Sequence, residues 1–339
     1  MKKTVFFGAL TVAGLTAGMA SAATLDDVKA RGSLNCGVTT GLVGFAAPDA
    51  EGVWEGFDVG VCRAVAAAIF GDPTAVEFVP TTGQTRFTAL ASGEIDLLAR
   101  NTTWTMSRDV DLKFEFVGVN YYDGQGFLVP KALGVTSAKE LDGATVCIQT
   151  GTTTELNLAD FFRVNDISYE PVPIETNAEG QQQYLAGACD VYTTDASGLA
   201  ATRATFENPA DHVLLPEIIS KEPLGPLVRH GDNEWGDIAR WTLNALITAE
   251  ELGVTSENIE ELAATPGNNP EVNRLLGTEG ELGAQLGLDA DWAKNAIAAG
   301  GNYGELFDNN IGENTSIGLA RGLNAQWTDG GLIYSPPFR

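Results

Sequence analysis

Histidine is nearly absent: the 339 residues contain two, His212 and His230. They show no metal-ligand spacing, and so few imidazoles leave little material for a histidine general base. Basic residues are also scarce, 20 against 45 acidic, and the net charge of -25 repels phosphate backbones and anionic lipid. Nucleic acid is excluded as a partner class on that ground. After residue 19 no apolar run approaches the ~20 residues of a membrane span. No serine-hydrolase elbow, zinc-protease helix, dinucleotide fingerprint or phosphate-loop lysine opens the right element, which argues against catalysis. Carboxylates are plentiful, but an acidic chain pairs them by chance, so no glycosidase role is assigned.

What is present is enough apolar sequence, 44% hydrophobic against 19% charged, to fill one large core or two of ordinary size, and two is the better expectation. The first 22 residues stand apart. Lys2 and Lys3 precede an apolar run from Val5 to Met19, and Ala20-Ser21-Ala22 closes it. This predicts a cleaved secretory signal over residues 1–22, and hence an exported, periplasmic mature chain. Losing Lys2 and Lys3 takes the basic residues from 20 to 18 and the net charge from -25 to -27. Cys36, Cys62, Cys147 and Cys189 suit an oxidising compartment as two disulfides. Four cysteines allow three pairings; Cys36 with Cys62 and Cys147 with Cys189 are expected, because each pair then lies within one βαβ region.

From Leu34 onward short β-like runs alternate with helical ones. Strand Leu34 to Val38, a helix from about Asp58 to Phe70, strand Val76 to Val79, a helix over Thr85 to Ser92 and strand Ile95 to Leu98 form one α/β unit. The pattern starts again after Lys139: strand Thr145 to Ile148, helix Thr153 to Phe162, strand Ile167 to Val172, helix Ala178 to Ala186, strand Asp190 to Thr193. The units echo each other, Leu90-Ala91-Ser92-Gly93-Glu94-Ile95-Asp96 against Leu185-Ala186-Gly187-Ala188-Cys189-Asp190. Asn101 and Asp195 each follow five residues past the echoed aspartate, at the carboxyl end of a strand, where open α/β sheets hold ligands. Gly124 to Pro130 and Glu222 to Val228 read as two crossover strands between the units. Beyond Trp235 the chain is mostly helical, with amphipathic stretches at Ile238 to Leu252 and Asp289 to Ala299. The tail from Thr328 is expected to wrap back on the first unit.

The polar features at the strand ends match a zwitterion. Asn101 to Arg108 offers hydroxyls, free backbone groups and a guanidinium that can hold a carboxylate. Asp195 offers the opposite charge for an ammonium. Each has a plainer alternative: Arg108 as a solvated partner of Asp109 or Asp111, and Asp195 as the N-cap of the following helix. Gln149-Thr150-Gly151-Thr152-Thr153-Thr154-Glu155 follows a strand and opens a helix, so its free N–H groups make an anion site. Its alternative, compatible with the first, is a capping box between Thr152 and Glu155.

At these residues the sequence resembles the type II periplasmic solute-binding proteins of polar amino-acid ABC transporters, in particular the general L-amino-acid-binding branch. The resemblance is carried by Gly56-Phe57-Asp58-Val59, Arg86-Phe87-Thr88-Ala89-Leu90, Arg100-Asn101-Thr102-Thr103-Trp104-Thr105, Tyr121 to Phe127, Gly151 to Leu158, Lys221 to Pro226 and Gly301-Asn302-Tyr303-Gly304-Glu305. It covers essentially the whole mature chain. It implies an α/β fold of two lobes, each a mainly parallel sheet flanked by helices, joined by a two-strand hinge. The expected division is residues 23–127 with 225–339, including a helical C-terminal extension, against residues 128–224. The ligand α-carboxylate would meet Arg108, Thr103 and the backbone at Thr153, next to Thr152. The α-ammonium would meet Asp195, Thr103 and the carbonyl of Asn101. Arg86 aligns with an arginine that reaches the distal carboxylate in acidic-amino-acid binders; its alternative is a helix-surface arginine. Leu42 and Gly83 stand where glutamine-binding relatives carry aromatics, which implies a roomier pocket and a broad range. Thr39 and Thr40 are placed near the ligand side chain.

The expected protein is therefore a monomeric, cofactor-free and metal-free receptor for free L-amino acids such as Glu, Gln, Asp and Asn, handing them to a membrane permease. Two other readings share the fold: a periplasmic enzyme acting on a small carboxylic acid, and a sensory binding protein.

Overall fold

A computed structural model describes residues 24–339, so the expected signal segment lies outside the described residues. Two five-stranded sheets dominate. In the first, the order is Val76–Thr81, Leu34–Thr39, Leu97–Leu98, Leu227–Arg229, Phe114–Phe116. Leu34–Thr39 is parallel to both its neighbours, with Cys36 opposite Phe78 on one side and Leu97 on the other. Leu227–Arg229 returns antiparallel. The second sheet runs Tyr169–Ile174, Ala144–Gln149, Val191–Asp195, Gln125–Pro130, His212–Leu214. Its first three strands are parallel, and Gln125–Pro130 is antiparallel to both its neighbours.

The expected alternation is met within two or three residues at each boundary. The helix Phe57–Phe70 buries Phe57, Val61, Cys62, Val65 and its alanines between the strand Leu34–Thr39 and the later helices Asn233–Glu251 and Trp292–Ala298. The echoed segments behave alike: Gly93 at φ 80 and Gly187 at φ 72 each turn the chain from a helix end toward the next strand, a conformation that a Cβ disfavours. Both expected disulfides form, Cys36–Cys62 and Cys147–Cys189.

The crossover differs from the expected one. Gln125–Pro130 lies wholly inside the second sheet, so a boundary at 127/128 would cut a strand, and Leu227–Arg229 belongs to the first sheet. The ribbon between the lobes is the short antiparallel pair Tyr121–Asp123 and Glu222–Leu224, with Pro223 opposite Tyr122. An apolar run with Gly and Pro at its ends is equally a core strand, because a strand buried on both faces carries no alternation to tell the two apart.

After this ribbon, Asn233–Glu251 forms the longest helix, and Trp292–Ala298 and Tyr303–Asn310 pack with it. Trp292, Tyr303, Phe307, Ile333 and Phe338 all enter the main core beside Val38, Phe57 and Leu246, so the extension and its tail belong to the first lobe. Tyr303 also donates from its hydroxyl to the Asn120 carbonyl, 2.8 Å, just before the ribbon.

Candidate ligand-binding cleft

The carboxyl ends of the parallel strands of both sheets face one space of about 530 Å³, its open mouth included, within the range that holds small organic ligands. From the first lobe come Thr39 at the end of its strand, Leu42, Arg86 at the start of the helix Arg86–Ser92, and Arg100, Asn101 and Thr103 in the loop after Leu98. From the second lobe come Gln149, Thr152, Thr153, Asn177, Asp195 and the helix that Asp195 precedes.

Of the residues singled out in sequence, Thr39, Arg86, Asn101, Thr103, Thr152, Thr153 and Asp195 line this space. Arg108 and Thr40 are not part of its wall. Arg108 sits on the π-helical turn Ser107–Asp111, buried, with Nη1 donating to the Thr103 carbonyl at 2.9 Å. Its guanidinium lies 5.2 Å from the centre of the Phe87 ring. The solvated pairing with Asp109 does not form; Asp109 accepts instead from Trp104 Nε1, 2.8 Å. Burial pushes Arg108 down to about 10, while Glu222 and Asp195 pull the other way.

Asp195 does occupy the N-cap of Ala196–Ala204, but its carboxylate makes no capping bond. It is left facing the cleft. Burial and the nearby Asp123 and Glu222 push its pKa well above the usual carboxylate range, against the attraction of Arg86 and Arg100. Asp123 is itself raised by burial while accepting from Gly124 N at 2.8 Å and from the Ser197 hydroxyl.

The expected capping box at the head of Thr153–Val164 is absent. Thr152 Oγ1 donates to the Gln149 carbonyl at 2.6 Å, and Glu155 accepts from Gly151 N at 3.3 Å rather than from Thr152. First-turn N–H groups of this helix thus have no side-chain cap, and the positive end of its dipole points at the cleft.

Arg86 is no surface arginine: it is 2% exposed. Nη1 donates to Thr102 Oγ1 at 3.1 Å and Nη2 to the Gly151 carbonyl of the other lobe at 3.4 Å, while buried Nε has no partner. Desolvation, then Arg100 and Arg108, lower its pKa well below the ordinary value. Asn101 adopts φ 36, places its N–H 3.3 Å from Asp58 Oδ2, and leaves Oδ1 buried without a partner.

Three positions at or beside the cleft are not singled out by the sequence. Arg100 lines the cleft beside Asn101, with Nε donating to the Thr81 carbonyl at 3.2 Å. Its place just past the strand Leu97–Leu98 was the available signal. Asn177 opens a helix after a second-lobe strand, the position Thr153 holds one loop earlier, and the strand-end rule extends to it. Glu222, on the ribbon, is 1% exposed and accepts from Thr103 Oγ1 (2.5 Å), Thr153 Oγ1 (3.0 Å), Asn157 Nδ2 (2.7 Å) and Ser220 Oγ (2.6 Å). Four donors drawn from both lobes satisfy the hydrogen-bonding capacity of this buried carboxylate.

Gly83 overturns one expectation. It does not widen the cleft; a Cβ there would lie 2.6 Å from the Thr150 carbonyl oxygen, so it lets the two lobes touch backbone to backbone.

The cleft therefore brings Arg86 and Arg100 of the first lobe together with a helix N-terminus and Asp195 of the second, so cationic and anionic groups line one space. Residues 34–258 match the model of the bacterial extracellular solute-binding proteins, family 3. The chain belongs to that family. Within family 3 it is 68% identical, over the whole of both chains, to the glutamate/glutamine/aspartate/asparagine-binding protein BztA of Rhodobacter capsulatus. It is 57% identical, again over the whole of both, to the general L-amino acid-binding periplasmic protein AapJ of Rhizobium johnstonii. Among solved structures, the ABC transporter periplasmic binding protein from Brucella ovis with glutathione bound superimposes with a TM-score of 0.91 at 55% identity, covering 94% of this chain and 100% of that one. All three relatives are named as binding proteins, two of them periplasmic, and the Brucella ovis protein shares the fold.

Proposed function

We propose that this chain is the extracytoplasmic solute-binding component of an amino-acid ABC transporter, taking up free L-amino acids, polar and acidic ones above all. The observation that carries the reading is that the uncapped Asp195 carboxylate and the uncapped head of Thr153–Val164 line one cleft, with Arg86 and Arg100 in the facing lobe. The α-ammonium sits at Asp195 and the Asn101 carbonyl. The α-carboxylate lies against the helix head and Thr103, with Arg108 behind Thr103 as counter-charge. Arg86 and Arg100 receive the oxygen of the side chain. Ligand bridging the lobes selects the closed state, which the membrane permease reads.

In this reading residues 1–22 are a cleaved signal and the mature chain is a periplasmic monomer without catalytic activity. The lobes are residues 24–120 with 225–339 against 124–221, with the pivot in the paired segments Tyr121–Asp123 and Glu222–Leu224. The glutathione bound by the Brucella ovis relative favours one widening of the ligand class: γ-glutamyl compounds present the same α-amino acid head.

Calorimetric titration of unfolded, dialysed and refolded protein with Glu, Gln, Asp, Asn and glutathione tests the proposal, alongside Asp195→Asn. Removing the partner of a buried charge costs about 2–5 kcal/mol, so the variant should bind at least ~30-fold more weakly. Folded wild-type protein that gives no heat with any of the five would refute the amino-acid reading and point to other carboxylic acids or to the enzyme on the same fold.

A further inference from the structure

Asn177 begins the helix Asn177–Leu185 of the second lobe and reaches across the cleft. Its Nδ2 donates to Thr39 Oγ1 and to the Gly41 carbonyl, each at 3.2 Å and both in the first lobe. Reversing the amide would set Oδ1 against the Gly41 oxygen, acceptor against acceptor, so this neighbourhood supports one orientation only. Both amide hydrogens are thereby committed to lobe-to-lobe contact. Oδ1 accepts nothing from the described residues, and Asn177 is part of the cavity wall. Arg86 is part of the same wall, 2% exposed, with its Nε unpartnered.

The cavity wall thus carries the Arg86 guanidinium on one lobe and, on the other, the Asn177 amide with its oxygen unpartnered, apart from the Asp195 carboxylate reserved for the ammonium. A ligand side chain ending in a carboxamide complements both: its carbonyl oxygen suits the guanidinium and its N–H suits Asn177 Oδ1. A carboxylate satisfies Arg86 but turns its second oxygen toward an acceptor, which leaves that contact repulsive. We infer that Asn177 is a specificity-determining residue that favours side-chain carboxamide over carboxylate, Gln over Glu and Asn over Asp, in a pocket that admits all four. The inference rests on the amino-acid reading proposed above. Since the Nδ2 bonds form only when the lobes meet, recognition of the amide is tied to closure.

The test is calorimetric titration of wild type, Asn177→Ala and Asn177→Asp with Gln, Glu, Asn and Asp, each protein checked by its ligand-free melting curve. In Asn177→Ala the amides should weaken about tenfold more than the acids, the worth of one ordinary hydrogen bond. Asn177→Asp keeps an acceptor and adds charge, so its amide-to-acid affinity ratio should rise above that of wild type. Equal weakening of all four ligands in Asn177→Ala would make the residue a closure contact alone and overturn the inference. So would an unchanged ratio in Asn177→Ala, or a lower one in Asn177→Asp. Wild type that binds none of the four refutes the amino-acid reading instead, a separate result.

Discussion

Replacing Gly83 by alanine should weaken ligand binding without harming the fold, because the added methyl meets nothing tight until the lobes close. Built on the backbone, that Cβ lies 2.6 Å from Thr150 O and 3.1 Å from Thr152 Cγ2, atoms of the other lobe. Backbone cannot swing aside as a flexible side chain does. Gly83 is not among the positive-φ glycines, so alanine is unstrained within its own lobe and trims the entropy of the unfolded chain. An overpacking cost of about 1–3 kcal/mol then falls on the closed state alone. Through the smaller closed fraction it raises the dissociation constant about 5- to 150-fold. Titration calorimetry gives the affinity, and a ligand-free thermal melt gives the control. If Gly83→Ala bound glutamine as tightly as wild type, the closure argument would be wrong. If small ligands kept their affinity and only large ones lost it, Gly83 would be making room in the pocket after all, as the sequence alone suggests.

Two further expectations concern stability. Burial pushes the Asp58 carboxyl up to about 6, outweighing its bonds from Asn120 and Asn101 and the charge of Arg100. The folded state therefore holds a proton that the unfolded state has released, and stability is full below about pH 4 and lost as pH rises toward 6, by up to ~3 kcal/mol. Urea midpoints between pH 4 and 7 should show a flatter profile in Asp58→Asn; an identical slope would remove Asp58 as its source. The disulfides Cys36–Cys62 and Cys147–Cys189 span 26 and 42 residues. On the chain-entropy account each contributes about 3.5 to 4 kcal/mol at most. Reduction, checked by thiol counting, should lower the melting temperature, and an unchanged melt would contradict the account.

Most of the fold was legible because its βα units carry their own signals. Phe57–Phe70 is an apolar run long enough for a buried helix, Thr153–Val164 buries the stripe Thr154, Leu158 and Phe162, and Gly93 and Gly187 mark where helix gives way to strand. The ribbon between the lobes was not legible in the same way. Tyr121–Asp123 and Glu222–Leu224 are three residues each, too short for any period, and their pairing joins positions about a hundred residues apart. The longer, more apolar Gln125–Pro130 is the stronger strand signal and in sequence reads as the crossover, although it is a core strand of the second lobe.

The site divides along the same line. Residues at strand ends, such as Thr39, Thr103, Thr153 and Asp195, were found because topology alone aims them at a shared edge. What a charged side chain does there depends on partners that sequence distance hides. Arg108 is held back by the Thr103 carbonyl and the Phe87 ring. Glu222 is held in the interior by Thr103, Thr153, Asn157 and Ser220, which converge on it from three parts of the chain. The same convergence explains how a hinge can sense its cleft. Thr103 and Thr153 stand on opposite lobes, and each donates to one oxygen of a carboxylate rooted in the ribbon, so any opening that parts the two threonines must strip a donor from buried Glu222. Closure restores that donor, which makes the ribbon carboxylate a contributor to the closed state whatever ligand fills the space above it.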